Sequence, residues 1–268
     1  MSILRRRPPI AALFATLASA LALTAAQPAH AGSAAAAQPL PPLPVFLPSD
    51  QGYYHDVGAT QRTGSDGGFA LLTVAQPYVE PGDSHSLAAV AARSVDGWDN
   101  VQVGWTVDPV LNGDDKPHLF VFYRSNQTNA CYNVCGFEPY GPSTIHPGAA
   151  LPVGATKKFG IQHSGDRWWV AYDTQWIGSF PDTLWSGAFT RTGAVQYFGE
   201  VAAPTAEPYC TWMGTGYSPD STQSARFGSI TLINGDNSTL AIDPIDNVYG
   251  VQQLSGTSIR FGGPGRGC

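Results

Sequence analysis

The chain has 268 residues, enough for one large β domain or two small ones, and a formal net charge of −6 with only 13% charged residues. Its lysines are Lys116, Lys157 and Lys158 alone, so the chain is a poor partner for nucleic acid or an anionic membrane surface. Abundant Gly, Pro and aromatic residues with few charges suit an all-β protein better than a helical one.

Residues 1–31 read as a secretory signal peptide. Arg5, Arg6 and Arg7 form a basic start, an apolar run follows from Ile10 to Ala25, and Ala29-His30-Ala31 is a small-residue cleavage site. Its removal takes away three arginines and no acid, which moves the formal charge from −6 to −9. No later stretch is apolar and long enough to span a bilayer as a helix, so the expected location is extracellular, without a membrane partner. Residues 32–48 form an Ala- and Pro-rich linker.

From Ser49 the pattern changes to short β-type runs separated by Gly, Pro, Asn and Asp. Gly68–Val74 reads as a strand. Ser86–Val95 is compatible with helix or strand, and its neighbours favour strand. Val101–Val107 alternates, with Val101, Val103, Trp105 and Val107 on one face and Gln102, Gly104 and Thr106 on the other. A turn at Leu111–Asp115 precedes the aromatic strand His118–Arg124, and a short strand is expected at Phe137–Tyr140. Lys158–His163 and Arg167–Tyr172 form a hairpin about Ser164-Gly165-Asp166. Thr174–Phe180, Ala194–Ala202, Tyr209–Tyr217 and Ala225–Leu232 are further candidates. Within Ala194–Ala202, Gln196, Phe198 and Glu200 share the face opposite Val195, Tyr197 and Val201. Such a series predicts one antiparallel β-sandwich of two packed sheets, jelly-roll-like, over residues 49–235. The tail 236–268 is expected to wrap on its surface, tethered by a disulfide.

Cys131, Cys135, Cys210 and Cys268 all follow the leader, and an even count in an exported chain reads as two disulfides. Of three connectivities we expect Cys131–Cys135 and Cys210–Cys268. The C-x₃-C spacing is close to that of a zinc site, but no histidine or second cysteine pair lies nearby, so no metal is expected. There is no G-x-S-x-G, H-E-x-x-H, phosphate loop or dinucleotide fingerprint. His55, His85, His118, His146 and His163 are scattered and mark no triad. The tryptophans read first as core, with a carbohydrate groove as the alternative.

Several separate motifs, in order, resemble the neprosin domain. They are the run Asn100–Pro109, Asn112-Gly113-Asp114, the strand Leu119–Ser125 and Cys131-Tyr132-Asn133. The second half adds Arg167–Val170, Ile177-Gly178 with Phe180-Pro181, Phe198–Val201 and Thr211–Gly216. The resemblance spans roughly residues 50–233 and implies a secreted glutamic peptidase on an antiparallel β-sandwich, acting on protein or peptide substrates. Its plant member cleaves after proline, which makes Pro-rich substrates the expectation. No cofactor is implied, and a monomer is expected.

Of the family's two catalytic glutamates, the second carries over as Glu200 and the first is replaced by Gln102. A second glutamic-peptidase family with a similar sandwich uses a Gln/Glu pair, so a working Gln102/Glu200 dyad is expected, its side chains on one sheet face within a water's reach. The other reading is an impaired domain that binds carbohydrate or cell wall. Trp105, Tyr197 and Trp212 lie within sequence reach of the dyad, and none is assigned to a substrate pocket. With so short a linker between leader and domain, inhibition by a folded prodomain of the kind plant members carry is not expected.

Overall fold

A computed structural model of the chain describes residues 52–267, apart from 127, 128, 208, 209, 237, 244 and 245. The leader, the linker and Cys268 lie outside the described residues, and all described residues belong to one compact unit.

Among the described residues fifteen strands alternate with turns. They are β1 (Tyr53–Gln61), β2 (Gly67–Thr73), β3 (His85–Arg93), β4 (Asn100–Val107), β5 (His118–Ser125), β6 (Asn129–Tyr132), β7 (Glu138–Pro139), β8 (Thr156–Ser164), β9 (Arg167–Tyr172), β10 (Gln175–Pro181), β11 (Ala194–Ala203), β12 (Ala225–Leu232), β13 (Leu240–Ile242), β14 (Gly250–Ser255) and β15 (Ser258–Gly262). Two antiparallel sheets result. One has the order β13-β1-β11-β3-β4-β5-β6, and the other β14-β15-β12-β2-β8-β9-β10-β7. The expected all-β sandwich is the fold.

Alternation decides which side chains meet between the sheets. Val101, Val103, Trp105 and Val107 from β4 and Val195, Tyr197 and Val201 from β11 enter the core. There they join Leu72, Phe159, Ile161, Val170, Phe227 and Phe261 of the facing sheet. Buried indoles need a partner for the N–H, and each finds a backbone carbonyl. Trp105 Nε1 donates to Thr73 O at 2.9 Å, Trp168 Nε1 to Phe189 O at 2.8 Å and Trp185 Nε1 to Arg124 O at 2.8 Å. The core reading of the tryptophans therefore holds for these three. Trp169 and Trp176 instead stand with Phe69 on the outer face of the second sheet, at centroid distances of 6.1 Å.

Local chemistry explains the connection after β4. Asp108 caps a single helical turn, α1 (Pro109–Asn112), by accepting from Leu111 N. Pro109 supplies the fixed φ at its start, and Gly113 ends it at φ 76°. The expected turn at Leu111–Asp115 thus begins two residues earlier, as a helix.

One strand is new, and two expectations are corrected. Tyr53–Gln61 is a full strand between β11 and β13, although its pattern is not recognisably apolar. Around Met213 there is no strand but a chain of turns, with one bridge to Gly263 and positive φ at Gly214 and Gly216. The C-terminal segment does not wrap on the surface. β15 pairs with β12 and buries Ile259 and Phe261 completely, so the sandwich runs on to Gly262. Without it β12 would be a bare edge beside exposed core. Cys131 and Cys135 are bonded as expected. Cys210 is also disulfide-bonded, and its expected partner Cys268 lies outside the described residues.

Candidate active site

The outer face of the first sheet is a grid fixed by strand register. One row reads Tyr132, Phe122, Gln102, Ala91, Gln196 and Thr60 from β6 to β1. The next reads Phe120, Gly104, Ala89, Phe198 and Gly58. A third reads His118, Thr106, Leu87, Glu200 and Asp56. The crossover that sets β11 between β1 and β3 brings Asp56 and Glu200 side by side although 144 residues separate them in the chain.

A cleft of about 760 Å³ opens over this grid, lined by both Gln102 and Glu200. Its floor is a small apolar cluster of Leu87, Ala89, Ala91, Phe120 and Phe198, flanked by Phe122 and Tyr132. A neighbouring hollow of about 780 Å³ shares Tyr54, Asp56, Arg93 and Gln196 with it, so the two form one long trough. Gln102 and Glu200 are therefore on one face, as expected. They are not opposite each other: Glu200 is two strands across and four residues along, about 16 Å between Cα positions at ordinary strand spacings, so the expected spacing of a single water is not what the register gives. Gly104, Ala89 and Ala91 keep the Gln102 half of the diagonal low, and Leu87 and Phe198 border its Glu200 half.

The two groups are held differently. Glu200 Oε1 lies 2.9 Å from His85 Nε2, and both side chains are about four-fifths buried, at 19% and 18% exposure. On its other side stands Asp56, its register partner on β1, with the side chain on the same face. Burial, and then the Glu200 charge and hydrogen bond, push the Asp56 carboxyl up to about 8, while the Arg93 charge acts in the opposite sense. Asp56 is nonetheless an exposed residue on the trough, so solvent weakens the effect of burial, and the neighbouring Glu200 carboxyl is the cause that the strand register supports. Gln102 Nε2 reaches Asn100 Oδ1 only at 3.5 Å, the limit of hydrogen bonding, which leaves the amide free to pair with a bound group.

Arg93 is committed elsewhere. Its Nη1 donates to Gln196 Oε1 at 2.7 Å, Gln196 Nε2 donates to Asp243 Oδ2 at 2.9 Å, and Thr60 Oγ1 donates to Asp243 Oδ1 at 2.6 Å. Ser84 Oγ lies 3.3 Å from His85 Nδ1, so a hydrogen-bonded chain runs from Ser84 through His85 to Glu200.

Sequence reasoning missed Asp56 and His85. His85 shares a face with Leu87, Ala89 and Ala91 by simple alternation, a signal that places it beside Glu200 once β3 and β11 are paired. Asp56 alternates with Tyr54, Gly58 and Thr60, and its strand was the unrecognised one. None of the aromatics considered beforehand lines the dyad: Trp105 and Tyr197 point into the core, and Trp212 packs against Tyr78 at 6.2 Å. No group of three or more His, Cys, Asp or Glu side chains suited to a metal occurs among the described residues.

Known proteins resemble this chain at two levels. By fold, scytalido-glutamic peptidase with a transition state analog inhibitor superposes at a TM-score of 0.48 and 13% identity, over 78% of this chain and 97% of that one. SCP-B, an eqolisin-family peptidase in complex with the tripeptide Ala-Ile-His, gives 0.43 and 11% over the same shares. The carbohydrate-binding module CBM66 from Bacillus subtilis gives 0.31 and 14%, over 58% of this chain and 79% of the module. No protein with a curated description matches the sequence. By sequence pattern, the neprosin family model matches residues 82–264, more than half of the chain. The chain belongs to the neprosin family.

Proposed function

We propose that this protein is a secreted glutamic endopeptidase in which Glu200 activates water and Gln102 stabilises the oxyanion. Membership of the neprosin family supports a peptidase-type function. The observation that carries the finer reading is that Gln102 and Glu200 line one trough, with Ala89 at the middle of the diagonal between them, Gly104 and Ala91 beside its Gln102 half and Leu87 and Phe198 beside its Glu200 half. On this reading an extended peptide crosses that diagonal, and both long side chains lean over it to bring the amide and the carboxylate to one carbonyl.

The steps are simple to balance. Ionised Glu200 takes a proton from a water as the oxygen adds to the carbonyl carbon. The Gln102 amide donates to the oxygen on which negative charge develops. Glu200 then returns the proton to the leaving nitrogen as the C–N bond breaks, and it ends ionised again. The apolar floor at Phe120, Phe198 and Leu87 supports acceptance of a proline ring next to the scissile bond. The leader sequence and the disulfides support secretion.

The test is digestion of a denatured Pro-rich protein between pH 3 and 7, with the cuts mapped by mass spectrometry. Glu200→Gln should lower kcat/KM by about 10²–10⁴, the usual worth of a general base. An active Glu200→Gln protein would remove Glu200 from the chemistry. The Ser84–His85–Glu200 chain supports a second reading, a nucleophilic serine. It requires Ser84→Ala to be inactive and Ser84 to take up a fluorophosphonate. The glutamic reading expects neither.

A further inference from the structure

We propose that Asp56 is a positioning residue for Glu200, a neutral acid that donates a hydrogen bond from β1 and fixes the Glu200 carboxylate toward the trough. The inference rests on the peptidase reading of Glu200 and extends it to a residue before the family match, which begins at residue 82.

The argument is geometric. Asp56 and Glu200 are register partners on adjacent strands with their side chains on the same face, which sets the two carboxyl groups side by side. Two carboxyl groups can share a hydrogen bond only if one of them carries a proton. His85 Nε2 occupies Oε1 of Glu200 from β3. Glu200 is thus gripped from both neighbouring strands, and its rotamer is set without help from substrate. The role differs from that of the base. Through the cycle Asp56 keeps its proton, while the proton taken from water travels on Glu200 and leaves with the amine.

The charged and titratable groups facing the pair come from every packed element. They are Tyr54 on β1, His85 and Arg93 on β3, and Asp243 beyond β13. Arg93 and Asp243 are joined through Gln196, so neither is a direct partner of Asp56 in this network. Burial, and then the charges of Glu200 and Asp56, also raise the Tyr54 phenol, so it stays neutral across the working range and adds no charge.

Loss of the Asp56 proton at high pH would place two carboxylates in contact and release Glu200 from its setting. The wild type should then show an alkaline limb in kcat, set by Asp56. Asp56→Asn keeps a donor toward Glu200 and cannot ionise. It should retain activity near the optimum within about threefold, and its alkaline limb should move up by at least about one pH unit. Asp56→Ala removes the donor and should lower kcat about tenfold or more with KM within about twofold.

A second readout is independent of turnover. The ¹³C carboxyl resonance of Asp56 should titrate far above the usual aspartate range in the wild type and return toward it in Glu200→Gln. An active wild type whose Asp56→Asn variant keeps the same alkaline limb, or an Asp56 that titrates as a free aspartate, overturns the role of Asp56 and leaves Glu200 as base. A wild type inactive on every peptide at every pH overturns the peptidase reading, and the role of Asp56 with it.

Discussion

At the scale of single residues the contrast between Gln102 and Glu200 is one of protonation. An amide donates at every pH, whereas a carboxyl donates only while protonated. Gln102→Ala should therefore lower kcat by about 10²–10³, the usual loss of one oxyanion donor, with the fold intact because Gln102 faces the trough and not the core. Gln102→Glu is the sharper experiment. It should remain active in acid, where the introduced carboxyl still carries a proton, and lose activity toward neutrality as that carboxyl ionises. The measurement is kcat/KM against pH for the wild type and both variants. Identical profiles for wild type and Gln102→Glu would show that position 102 does not meet the developing charge. The alternation of Val101–Val107 and Val195–Val201 made the shared face of Gln102 and Glu200 legible in the sequence. The diagonal offset was not legible, because register depends on which strand stands between them, and β3 and β11 are distant in the chain.

At the scale of elements, the strands that could be read were those with one face wholly apolar. β1 could not be read this way. Its inward positions include His55 and Gln61, which reach segments far along the chain: His55 Nδ1 lies 2.9 Å from Asp246 Oδ2, and Gln61 Nε2 donates to Ser238 O at 3.1 Å. A buried polar group paired through a remote loop looks, in sequence, like an exposed one. Asp56 was missed for this reason. The segment about Met213 misled in the opposite sense, since its aromatic and apolar residues suggest a strand that Gly214 and Gly216 turn aside. β15 shows what a short C-terminal strand contributes. Phe261 is fully buried against Phe227, at 5.1 Å between centroids. Phe261→Ala should cost about 3–5 kcal/mol by urea unfolding, as large-to-small changes in packed cores do. Tyr53→Ala, at a half-exposed end of β1, should stay within about 0.5 kcal/mol. A tail merely lying on the surface would make the two variants alike.

At the scale of the whole molecule, the same carboxyl that positions Glu200 imposes a pH dependence on stability. Asp56 is raised in the folded state to about 8, from an unfolded value near 3.8. Between these values the folded chain binds more protons than the unfolded one, so stability falls as pH rises through that window. Asp96 and Asp114 act with the opposite sign. They are held below the ordinary range by hydrogen bonds, first from Ser94 and from the Lys116 backbone N–H respectively, so their contribution is lost as pH falls. These residues and Asp56 all meet solvent, where screening keeps each contribution modest. The net acidic charge adds self-repulsion toward alkaline pH. The thermal midpoint should therefore peak in mild acid and decline toward pH 8. Asp56→Asn removes a carboxyl that resists ionisation in the fold. It should raise Tm relative to wild type at pH 8, by an amount that shrinks steadily and vanishes near pH 4. Calorimetric scans of both proteins at fixed ionic strength across pH 4–8 measure this difference directly. A difference in Tm that stays constant with pH would mean that Asp56 loses its proton as readily in the folded chain as in the unfolded one, and the grip on Glu200 would then need another source.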